Sequence, residues 1–120
     1  MTLPDIVCDI EYSKRLKELG VKQESLFYWV KMSHGNWNLG LYSEITQWQG
    51  YDSISAWTVA ELGEKLPTAI NGTSIIIFKN DYGEYICSDE SPEATFSDTK
   101  LSNSLAKMLI HLIKEGVIKL

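Results

Sequence analysis

Leu101, Leu105, Met108, Leu109, Leu112 and Ile113 recur at i, i+4, i+7, i+8, i+11 and i+12. That is the period of an α-helix, and it draws one continuous apolar stripe along the helix. A stripe of this width has to be buried, and a β-sheet is a surface broad enough to take it. Gly116 is placed to end the helix, with Val117 and Ile118 turning back onto the core. The rest of the chain is therefore read for the sheet that this helix covers.

Strand chemistry appears twice. In the stretch "ESLFYWVKMSHGNWNLGLYSEI", Leu26, Tyr28, Val30 and Met32 alternate with Phe27, Trp29 and Lys31. The residues are aromatic and β-branched, as strands prefer. After the break Ser33–Asn36, a second alternation sets Trp37, Leu39 and Leu41 against Asn38 and Gly40. The two runs predict a β-hairpin. Residues 46–56 read either as a third strand or as a folded loop. Later, "TSIIIFK" is a continuous apolar run bounded by turn signals, which predicts a central strand. The turn Asn80–Gly83 then returns the chain into a partner strand from Glu84 to Cys87, and residues 88–98 read as an acidic loop.

Two further helices complete the pattern. Tyr12, Leu16 and Leu19 form a stripe over residues 10 to 19, with Asp9 as N-cap and Gly20 just past the end. The segment "WTVAELGEKLP" places Thr58 three residues before Glu61, the spacing of a capping box, and Pro67 as a stop. Its letters also suit the first helix of a helix-turn-helix. The DNA reading fails at the next element, because Ile75-Ile76-Ile77 is strand and no basic recognition helix appears. The expected fold is α+β: one domain over residues 1–120, in the order α-β-β-α-β-β-α. An antiparallel sheet of about four strands would carry about three helices on one face.

Charge narrows the function. The net charge is −5 and neither half of the chain is basic. Arg15 is the sole arginine, so bidentate recognition of bases or phosphates has little material. Nucleic acid is an improbable partner, and any contact would fall to Lys14, Arg15 and Lys17. No positively charged leader or apolar run of membrane-spanning length is present, which points to a cytoplasmic protein without a membrane partner. Cys8 and Cys87 lie outside any metal or redox spacing and read as free thiols, one or both buried. His34 falls in a turn and His111 at the edge of the last helix's stripe. No nucleotide-binding, nucleophile-elbow, zinc or calcium-loop pattern is found, so no enzyme, cofactor or metal is assigned.

The aromatic residues are the unusual feature. All four tryptophans, and eight of the thirteen aromatic residues, lie between Phe27 and Trp57. Such rings can be core and sheet packing with locally satisfied polar ends. They can also anchor a protein interface. Phe27, Trp29 and Lys31 share one face of their strand. With Trp37 and Trp48 they form the candidate interface for a protein partner or for self-association.

The segments "QESLFYW", "TVAELGEKLP" and "AKMLIHLIKEGVI", in this order, resemble a group of small bacterial proteins found also in phages and prophages. The likeness spans about residues 15 to 118. It implies a phage-associated accessory or interaction module and carries no catalytic residue or cofactor with it.

Overall fold

The computed structural model of the chain describes residues 3–41, 52–70 and 72–120. One helical turn, α1 (Leu3–Ile6), leads into α2 (Ile10–Glu18). Three strands come next: β1 (Phe27–Lys31), β2 (Trp37–Leu41) and β3 (Ser53–Ala56). Helix α3 (Val59–Lys65) connects to the short pair β4 (Ala69–Ile70) and β5 (Thr73–Ser74). Then come β6 (Ile76–Lys79), β7 (Tyr85–Ser88), a 3-10 turn at Pro92–Ala94 and β8 (Thr95–Asp98). Helix α4 (Leu101–Lys114) closes the order.

The class is α+β, but the single four-stranded sheet is not formed. The strands divide into three antiparallel sheets, ordered β2-β1-β3, β4-β5 and β6-β7-β8. Each predicted hairpin gains a third strand, β3 beside β1 and β8 beside β7, and so completes a sheet of its own. Both added strands are only four residues long; β8 is mostly polar, and the Ser-Ile-Ser-Ala alternation of β3 is too short to mark a strand by itself. The stretch 88–98, expected as an acidic loop, holds the 3-10 turn and β8 instead.

The core is built around α4. Leu105, Met108, Leu109 and Leu112 are buried, and Leu101 and Ile113 pack against them, so the stripe does what its period requires. Cys87 from β7, Leu16 from α2 and Leu62 from α3 meet that stripe, together with the fully buried Trp57. The helix thus covers one face of β7 and β8, while α2 and α3 pack beside it. Gly116 lies just past the helix end with φ +76, a conformation that costs a side chain dearly and glycine little. Ile118 packs against the core, but Val117 is half exposed, so the tail turns back only in part.

Local signals hold in α3. Thr58 accepts from the Glu61 amide at 3.2 Å, and Glu61 accepts from the Thr58 amide at 3.0 Å, which completes the capping box. Asp9 occupies the N-cap position of α2, but its side chain makes no cap bond. It reaches α4 instead. Lys100 Nζ lies 2.6 Å from one carboxylate oxygen, and Asn103 Nδ2 donates to the other at 2.9 Å. The Asp9 amide donates back to Asn103 Oδ1 at 2.8 Å.

Candidate interaction edge

The run Ile75–Phe78 becomes an edge rather than a centre. β6 pairs with β7 alone, with Ile77 opposite Cys87 and Phe78 opposite Ile86. All four β6 residues are exposed, with Ile76 at 38%, Ile77 at 49% and Phe78 at 47%. The apolar run predicted a central strand because continuous hydrophobicity usually means burial on both faces. Here the third strand joined β7 on its other side, and β6 was left outermost.

Backbone alternation says which groups β6 turns outward. Asn80 donates to the Glu84 carbonyl at 2.9 Å, so those two residues form a hydrogen-bonded pair in the β6–β7 register. In an antiparallel ladder such pairs alternate. Ile76 and Phe78 therefore bond to β7, while the N–H and C=O groups of Ile77 and Lys79 point away from the sheet. Ile75, on the same outward side, donates to the Thr68 carbonyl at 3.2 Å. The free edge begins just after it.

Two other edge strands, β3 and β8, are covered by side chains. On β3, the Ser55 amide donates to Gln23 Oε1 at 2.8 Å, and Lys17 Nζ donates to the Ser53 carbonyl at 3.3 Å. On β8, Lys107 Nζ donates to the Ser97 carbonyl at 2.7 Å. Covering an edge in this way blocks pairing with another chain. No corresponding cover is found on β6 among the described residues.

The aromatic hairpin is arranged as its alternation predicts, with Tyr28 and Val30 buried on one face. Phe27 and Trp29 are half-buried on the other face, and Lys31 there is exposed. Trp37 lies opposite Lys31 and is half-buried beneath the Lys14 ammonium, 5.2 Å from its ring centre. The Trp29 indole N–H is shielded from solvent and meets no acceptor among the described residues. Trp48 lies outside the described residues.

Lys14, Arg15 and Lys17 do not form one patch. Lys14 covers Trp37 and Lys17 holds the β3 edge. Arg15 turns elsewhere, 3.8 Å from Glu18 and into a groove against α4.

The remaining sequence candidates also disperse. His34 is exposed in the β1–β2 loop. His111 is half-buried against Phe96, with ring centres 5.4 Å apart. Both cysteines are free and buried. Cys8 Sγ lies 3.3 Å from Ser13 Oγ, and burial pushes its thiol up. Among the described residues, no three His, Cys, Asp or Glu side chains converge as metal ligands. No helix there is long and apolar enough to cross a membrane.

The β6 edge was partly legible, since the apolar run was visible in the sequence. Its position in the sheet was not, because that depended on where β8 paired. Comparisons with protein-family models, with curated proteins and with solved structures find no match for this chain.

Proposed function

We propose that this protein is a binding module that joins protein chains by strand addition at β6, with a second copy of itself as partner. One observation carries the reading: an apolar edge with outward backbone groups at Ile77 and Lys79 and no side chain covering it among the described residues. Strand addition supplies the missing hydrogen bonds from the partner's main chain and buries the alternate side chains. The resemblance to phage and prophage proteins adds an accessory role as context.

Two copies of β6 suit each other in antiparallel register. The edge is closed at Ile75 by Thr68, so the free stretch runs from Ile76 to Asn80. A two-fold axis at Phe78 uses that stretch fully. It sets Ile77 of one copy opposite Lys79 of the other, and joins the outward groups of both. No like charges stand directly opposite each other, which would destabilise the pair.

Sedimentation at micromolar concentration tests the reading. The protein is expected above monomer mass. The Ile77→Pro variant should be monomeric with an unchanged far-ultraviolet spectrum, because proline removes an N–H that faces away from β7. A wild-type protein that stays monomeric throughout rejects the proposal.

A further inference from the structure

Helices α2 and α4 and strand β8 line a shallow, open groove of about 470 Å³ that takes no part in the β6 edge. Tyr12, Phe96, Ile110 and His111 are half-buried along it. The ring pair Phe96–His111 is tilted by 53°, and Lys107 Nζ lies 5.7 Å from the centre of the Tyr12 ring. Arg15, Lys107 and Lys114 line the same groove, with Glu11 as the one carboxylate in the wall. In a chain of net charge −5, the groove wall itself holds three cations against one carboxylate.

The three cations are not equally committed. Lys107 is held by Asp98 at 3.1 Å and by the Ser97 carbonyl. Arg15 has only the 3.8 Å contact with Glu18, and both side chains are largely exposed. A pair of that kind is worth little and yields readily to a better-placed anion. Lys114 forms no ion pair among the described residues. Arg15 and Lys114 come from α2 and α4, which pack against each other, and both line the groove. The rings of the groove offer stacking and apolar area to whatever carries an anionic group there.

We infer that this groove binds a small organic anion, one planar ring bearing a single phosphate or carboxylate, between Arg15 and Lys114 and against Tyr12, Phe96 and His111. The volume is in the range of small-molecule sites. A nucleic-acid strand does not suit the place. Glu11, Glu18 and Asp98 ring the cations closely, and a continuous phosphate backbone needs an extended basic track.

Proton NMR of the aromatic side chains gives a direct test. Adenosine monophosphate and indole acetate serve as the phosphate and carboxylate probes, with adenosine and inorganic phosphate as the separated parts. The Tyr12, Phe96 and His111 rings should shift saturably with at least one of the two anions. Each separated part of the phosphate probe should bind about tenfold or more weaker than the whole when phosphate is preferred. If carboxylate is preferred, neutral indole should bind weaker than indole acetate by the same about tenfold margin. Arg15→Gln and Lys114→Gln should each weaken the tighter probe by about fivefold. Lys22→Gln, whose lysine pairs with Glu24 on another surface, should leave the affinity unchanged. No saturable shift at about 10 mM of either anion overturns the inference. So does a neutral ring that binds as tightly as its anion, or an affinity indifferent to both groove substitutions.

Discussion

Asp98 sits between three donors. Its Oδ1 accepts from the Lys100 amide at 2.9 Å and from Asn103 Nδ2 at 3.2 Å, and Lys107 Nζ lies 3.1 Å from Oδ2. Burial pushes this carboxyl up. The Lys100 amide, Lys107 and Asn103 more than offset it and hold the group below the usual carboxylate range. A carboxylate depressed in the folded state stabilises the fold above its unfolded value, about pH 3.9, and that contribution is lost as pH falls through the folded value. Melting temperature tracked from about pH 5 to about pH 2 should therefore fall more steeply for the wild type than for Asp98→Asn. Cys87 has the opposite sense, since burial pushes its thiol up to about 11. The unfolded thiol ionises from about pH 8.5 while the folded one stays neutral, so stability drains away as pH rises through that interval. Because the thiolate is the reacting form, Cys8 and Cys87 should both resist iodoacetamide in the native protein and both react in urea. Intact mass reads this out as no adduct before unfolding and adducts on both cysteines after it.

At the scale of the element, α3 owes its start to a shared residue. Glu61 closes the capping box with Oε1 and accepts the Leu26 amide with Oε2 at 3.0 Å, which ties the helix to the approach to β1. Thr58→Ala should cost about 1 kcal/mol, the usual loss for a removed N-cap. Glu61→Ala loses the return bond and the link to Leu26 as well, so urea unfolding should place it below Thr58→Ala in stability. In α4, Leu112→Ala should cost about 2–5 kcal/mol, because the residue is buried among the core side chains. These elements could be read from the sequence for physical reasons. The α4 stripe repeats over several turns, and the Thr58–Glu61 spacing has few other uses. The strand β8 could not, and β3 was legible only as one of two readings of residues 46–56. Thr95–Asp98 is mostly polar and gains its structure from pairing with β7, while Ser53–Ala56 pairs with β1 and is too short to declare itself. The aromatic hairpin was visible, and so was the grouping of Phe27, Trp29 and Lys31. The groove was not, because Arg15, Phe96 and Lys114 are brought together only by the packing of α2, β8 and α4.

At the scale of the whole molecule, the proposed pairing of two β6 strands makes a prediction about register. With the two-fold axis at Phe78, the two copies of that residue face each other in a non-hydrogen-bonded pair. Their Cα atoms would then lie about 4.5 Å apart, which is within disulfide reach. Phe78→Cys should form a covalent dimer on mild oxidation, and Ile76→Cys, which faces Asn80 of the other copy, should not. Non-reducing electrophoresis distinguishes the two, and the native thiols are buried out of the way. The bonds between Asp9 and Asn103 act on a different property, the order in which the chain can be completed. Asp9 and Asn103 exchange two hydrogen bonds across 94 positions, and Lys100 adds its charge to the same carboxylate. During synthesis, the segment around α1 and α2 is made early, yet its carboxylate finds no native partner until α4 has been translated. Such long-range closure slows folding. A nascent chain halted before Lys100 should therefore leave its first helices open to protease, and the same segment should become resistant once α4 has emerged.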